Sequence, residues 1–182
     1  MANIPRTGRR ETDSPATLQP PSGPSGQAPG PAPAHEGMTV QEMKALVDRH
    51  LRAEGAGDIA AAIAVYTPDI EHDVVGFPIG PTVGIAGARA FYEYMTSNFR
   101  TEGETIKHEY ATADALVLEQ VMTGTVIGSM FGLPGNGRRV SFRMLHVFEF
   151  RDGLISRENI WLDVGAVIGQ LSAPPAGSTS AG

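Results

Sequence analysis

Three side chains have the surroundings of proton-transfer groups: Asp73 in Asp73-Val74-Val75-Gly76, Asp163 at the end of Ile160-Trp161-Leu162-Asp163, and His50 in Val47-Asp48-Arg49-His50. Carboxylates and imidazoles serve as acids and bases when a site brings their pKa toward the working pH. His50 shares a helical face with Val40, Met43 and Val47, so a helix there turns it inward. Asp73 lies in a run that alternates Ile70, His72 and Val74 on one face with Glu71, Asp73 and Val75 on the other, and register decides which face is buried. Trp161 and Asp163 share one strand face while Ile160 and Leu162 share the other. If the second pair points inward, Asp163 caps a terminal helix beginning near Val164.

The other candidates weigh less. His72 is expected at a surface or an interface. His146 alternates with Phe142, Met144, Phe148 and Phe150 and reads as a hydrogen-bonded core histidine. Arg143 and Glu149 lie with Leu145 and Val147 on the opposite face; Arg143 binds a substrate carboxylate or enolate if that face lines a cavity, and otherwise belongs to an exposed ion pair. The loop 128–137, GSMFGLPGNG, exposes Met130, Phe131 and Leu133 between glycines, as an apolar lid over a cavity mouth or an oligomer contact. The histidines show no tight ligand spacing and the chain has no cysteine, so neither a metal site nor thiol chemistry is expected. The glycines form no phosphate-binding fingerprint, and no cofactor is expected.

The elements that must position these groups are legible. Thr39 and Glu42 have capping-box spacing ahead of a first helix that Gly55 and Gly57 stop. Asp58 caps a short second helix ending at a turn, Thr67-Pro68-Asp69. Ile85, Ala88, Tyr92, Met95 and Phe99 have the spacing of a third amphipathic helix. Strands are expected over 105–113, 115–128, 140–151 and 154–163, the last two joined by an Asp152-Gly153 hairpin. Helix-rich sequence followed by strand-rich sequence is an α+β pattern.

Residues 1–37 are rich in Pro and Gly and balance three Arg against Glu11, Asp13 and Glu36, so the formal charge of −6 resides in the remainder. That segment and 172–182 are expected to be disordered tails around one domain, 38–171. Arg9-Arg10 has no apolar stretch after it, which argues against an export signal. An acidic domain without a basic stripe argues against nucleic acid, and no apolar run approaches the roughly 20 residues that span a bilayer. A cytoplasmic location is expected.

The closing segment, Gly137-Arg138-Arg139-Val140, Phe148-Glu149-Phe150-Arg151-Asp152-Gly153, Ile160-Trp161-Leu162-Asp163 and Gln170-Leu171, resembles the SnoaL-like polyketide cyclases of the NTF2-like superfamily. The resemblance implies a cone: three N-terminal helices packed on a curved antiparallel sheet that encloses an apolar pocket, and commonly a homodimer. It implies a cofactor-independent cyclase of polyketide or ester type, closing a ring on an apolar carbonyl substrate by proton abstraction and aldol addition, with Asp163 as acid/base. Residues 66–76 with 84–95 also resemble ketosteroid isomerase, whose proton-abstracting aspartate matches Asp73. The donor positions of that enzyme match His50 and Leu145, so a steroid isomerase with that oxyanion hole is not expected. The charged triad of limonene-type epoxide hydrolases matches Met122, Gln120 and Ile160, none of them charged, which excludes that activity. Trp161, Phe131, Leu145, Met122 and Arg143 are the implied substrate contacts. A non-catalytic binding module, or an isomerase or dehydratase on the same scaffold, are the alternatives.

Overall fold

The computed structural model describes residues 37–174. The expected tails 1–37 and 172–182, and Arg9-Arg10, fall wholly or largely outside them.

Helix α1 (Val40–Gly55) starts at the capping box foreseen for Thr39 and Glu42, in which each side chain satisfies the other's backbone N–H. It buries Met43, Leu46, Val47 and His50. Asp58 caps α2 (Ile59–Ile63) by accepting from Ala61 N. Strand β1 (Tyr66–Val75) begins earlier than expected: Thr67-Pro68-Asp69 belongs to the strand, within a register irregularity between Tyr66 and Glu71. A bulge absorbs the proline, which cannot donate to a ladder. Short β2 (Thr82–Val83) precedes α3 (Ile85–Asn98). Long strands β3 (Phe99–Ala111) and β4 (Ala115–Val126), the small hairpin β5 (Ser129–Met130) and β6 (Leu133–Pro134), strands β7 (Arg138–Arg151) and β8 (Leu154–Leu162), and helix α4 (Val164–Ser172) follow.

The main sheet has the order β2-β1-β8-β7-β4-β3. Every pairing is antiparallel except β1 with β8, which is parallel and joins the first strand to the last. The helices pack on its concave face, giving the α+β cone. Asp152 and Gly153 have φ of 54° and 78°, the doubly left-handed geometry of the hairpin that the Asp-Gly pair favours. Phe131 and Gly132 adopt the same geometry at 51° and 76°. For phenylalanine this conformation costs about 1–2 kcal/mol, and the ring is held against Phe77, tilted by 57° with centroids 5.0 Å apart.

Inward faces follow the pleat. On β7, Val140, Phe142, Met144, His146 and Phe148 are buried, so Arg139, Ser141, Arg143 and Leu145 face outward. On β8 a register shift opposite Glu149 and Phe150 changes the phase, turning Glu158 and Ile160 inward. Glu158 thus stands directly between His72 of β1 and Phe148 of β7. Two apolar clusters fill the cone, one around Leu46, Ile70, Leu118 and Phe148, the other around Val74, Phe99, Met122, Phe142 and Ile160; Phe91 packs against both. Among the described residues no helix is long and apolar enough to cross a membrane.

Candidate functional site

A polar cluster is set into this core. The side chains of His50 and Glu158 are fully buried, with His146 1 % and His72 2 % exposed. His50 is oriented by its Nδ1–H, which donates to Ala62 O at 3.0 Å. Its Nε2 lies 3.5 Å from Glu158 Oε2 and 3.8 Å from Glu54 Oε2. Glu158 Oε2 accepts from Tyr66 Oη and from Tyr92 Oη, the latter at 3.2 Å, and the two hydroxyls lie 2.8 Å apart. His146 Nδ1 bonds Gln120 Oε1, while Gln120 Nε2 donates to Glu104. His146 Nε2 stands 3.5 Å from Glu158 Oε1.

Charge in this cluster is unevenly distributed. Burial opposes a charged His50, yet the Glu158 carboxylate, its hydrogen bond and Glu54 outweigh burial and raise His50 to about 9. Burial works against a charged Glu158 as well, but His50, His72 and His146 hold its carboxyl well below the usual range. At neutral pH the pair is therefore imidazolium and carboxylate. Burial pushes His146 down to about 4 and lowers His72, so both are neutral. Burial raises both tyrosines, and Glu158 adds to it.

The cluster backs onto a cavity of about 340 Å³ lined by Val74, Phe91, Met95, Phe142 and Ile160, with Tyr92, His146 and Glu54 as polar wall groups. Glu54, its side chain 24 % exposed, occupies the last turn of α1. Burial pushes its carboxyl up to about 7, with His50 opposing and Glu158 and Glu104 adding to the rise. A carboxyl that is half ionised near pH 7 both takes and returns protons.

Of the residues singled out from sequence, His50 lies in the cluster behind the wall and Met122 lines the cavity. The others lie apart. Asp73 is on the outward face of β1, where it accepts from Asn159 Nδ2 at 2.9 Å. Asp163 caps α4, accepting from Ala166 N at 3.0 Å, with Arg143 4.0 Å away. Trp161 is 52 % exposed and Leu145 36 %, side by side on the outer face, because Ile160 and Leu162 take the inner one. Arg143 is exposed there too, and Glu149 pairs with Arg157. Phe131 packs on Phe77 at the base of the β5–β6 turn, and its neighbour Met130 lines the cavity. His72, expected at the surface, is buried against Phe91 and Tyr92, because β1 turns Ile70, His72 and Val74 inward. Glu158, Glu54, Tyr66 and Tyr92 were not singled out. Glu158 had one signal, a spacing of two and four residues from Ile160 and Leu162 on the face that turned inward. Among the described residues no three His, Asp or Glu side chains are arranged to hold a metal ion.

The profile of the SnoaL-like domain matches residues 47–158, more than half of the chain and the span that runs from α1 to Glu158. The chain belongs to the SnoaL-like domain family. Solved structures similar to this SnoaL-like domain include a provisionally assigned polyketide cyclase of Xanthomonas campestris pv. campestris, with 26 % identity, a TM-score of 0.64, and coverage of 72 % of this chain and 98 % of that one. Another, from a Silicibacter species and assigned in the same way, has 27 % identity, a TM-score of 0.64, and coverage of 75 % and 99 %. An LEH-like epoxide hydrolase of M. tuberculosis, 23 % identical with a TM-score of 0.57 over 72 % of this chain and 90 % of its own, shares the fold alone. No match was found among curated proteins.

Two expectations follow from the placement of charges in the SnoaL-like domain. The raised His50 stabilises the fold fully below its unfolded value near 6.5, and that contribution is lost as pH rises through about 9. The raised Glu54 loses its contribution in the same direction, through about 7. The lowered His146 and His72 act oppositely, losing theirs as pH falls from 6.5 toward about 4. Thermal melts are therefore expected to peak near pH 6, with the His50 share of the alkaline loss on the order of 2–3 kcal/mol by pH 9; a flat profile from 6 to 9 contradicts the assigned charges. Asp163→Ala, by contrast, is expected to cost only about 1 kcal/mol in urea unfolding, the worth of a helix N-cap.

Proposed function

We propose that this protein is a cofactor-independent acid/base enzyme of the cyclase type, acting on a small apolar carbonyl compound held in the 340 Å³ cavity. The observation that carries this is Glu54, a partly exposed wall carboxyl 3.8 Å from buried His50 and raised to about 7. The Glu54 carboxylate takes a proton from the carbon next to the carbonyl. The resulting enolate carbon attacks a second carbonyl of the same molecule, forming the ring C–C bond, and the new alkoxide takes the proton back from Glu54. His50, its charge fixed by Glu158, steadies the carboxylate form. With a substrate that lacks a second carbonyl only proton removal and return remain, which exchange the C–H proton or, in an unsaturated ketone, shift the double bond. The acid/base role goes to Glu54 in this reading because Asp73 and Asp163 do not line the cavity.

The polyketide cyclase assignments of the similar structures support the substrate class. A homodimer through the outer sheet face is part of the proposal, supported by exposed Leu145 and Trp161 in register on adjacent strands. So is a cytoplasmic location, with which a cysteine-free chain agrees.

The test uses 2-tetralone, an apolar ketone with acidic C–H bonds, in deuterium oxide. Wild-type protein is expected to accelerate incorporation of deuterium beside the carbonyl, read by proton NMR. Binding of 2-tetralone without exchange above the buffer rate would instead identify a binding module.

A further inference from the structure

A smaller cavity of about 100 Å³ adjoins Phe91, lined by His72, Val74, Phe77, Thr82, Gly87 and Phe91 among others. Val74 and Phe91 belong to the walls of both cavities. His72 has a feature that packing does not account for: its Nε2 is buried and has no hydrogen-bond partner. Leaving such a group unpaired costs about 1–3 kcal/mol, and an apolar side chain of similar size on this strand face would avoid that cost. Its ring is fixed by aromatic neighbours, 4.8 Å from Phe91 and 5.6 Å from Tyr92 between centroids.

We infer that the small cavity is a subsite of the main one, in which His72 Nε2 hydrogen-bonds a second oxygen of the substrate, a neutral ketone or enol carried on a short arm that passes Phe91. The inference rests on the proposed use of the main cavity and assigns the second carbonyl of that substrate its place, on a short arm at His72. A neutral imidazole suits this role, because its two tautomers let Nε2 donate to a ketone or accept from an enol. Burial keeps His72 in that neutral form at pH 7. The volume accommodates a group of a few heavy atoms, such as an acetyl arm. In the cyclisation above, this contact would hold the second carbonyl at a fixed distance from the enolate carbon, which is the orientation that intramolecular addition needs.

The probe is benzoylacetone, whose phenyl ring fits the main cavity and whose acetyl group is the arm. Protein carrying nitrogen-15 histidine is titrated with it, and the ring-nitrogen signals of His146 and His72 are followed separately. Both are expected to shift and to saturate together. A shift of His146 alone overturns the subsite while leaving the main cavity's role intact; a shift of neither overturns both. In a second arm, His72→Leu is expected to weaken benzoylacetone about tenfold, the worth of one hydrogen bond, and to leave tetralin, which has no oxygen, unchanged. Equal losses for both probes would mean that the substitution only disturbs packing, and would overturn the inference.

Discussion

Glu158→Gln is expected to lower the free energy of unfolding at pH 6 by about 3 kcal/mol or more, the range found when one partner of a buried ion pair is removed. Glutamine keeps the shape and can still accept from Tyr66 and Tyr92, so the loss isolates the charge. Without the carboxylate nothing balances the burial of His50, which must then lose its proton inside the fold. The one new contact works the other way, since the amide N–H can donate to His146 Nε2, where Glu158 Oε1 now stands 3.5 Å away, so the loss that remains is that of the charge. At pH 9 the deficit should shrink, because wild-type His50 is itself then near half titration. Urea unfolding at both pH values measures this. A loss under 1 kcal/mol at pH 6, or an equal loss at both, would mean that the pair is not charged in the folded protein.

The sequence made the scaffold legible where local chemistry is strong. Thr39 with Glu42, Asp58 and the Asp152-Gly153 turn each satisfy a specific backbone need, and all three appear where expected. His50 was readable because a 3.6-residue period fixes a helix face. The strands carried less information, because a period of two leaves both faces open until register is known. Asp73 and Asp163 stood out as carboxylates in apolar company, yet β1 and β8 turn His72, Glu158 and Ile160 inward and leave those aspartates outside. Glu158 was inconspicuous between Arg157 and Asn159, since what makes it central is its parallel register with His72, a contact between the first strand and the last. Glu54 was unreadable for a related reason: its raised pKa comes first from burial, to which Glu158 of β8 and Glu104 of β3 add, and both depend on tertiary packing with groups far away in the chain.

Glu54→Gln is expected to reduce deuterium exchange into 2-tetralone by a factor of about 10² or more, the usual worth of a positioned general base. The amide preserves size and polarity in the wall but neither accepts nor returns a proton. Because Glu54 is the burden on stability at high pH and not a support, the variant should fold as well as wild type and bind 2-tetralone with similar affinity. Loss of rate with binding retained separates a chemical role from a packing one. Asp73→Asn and Asp163→Asn are the matched controls, since each removes a carboxylate that lies outside the cavity lining. The decisive measurement is therefore the exchange rate of 2-tetralone at pH 7 in wild type and these three variants. The account predicts that only Glu54→Gln falls to the buffer rate; exchange that survives in Glu54→Gln, or that disappears in Asp73→Asn or Asp163→Asn, would contradict it.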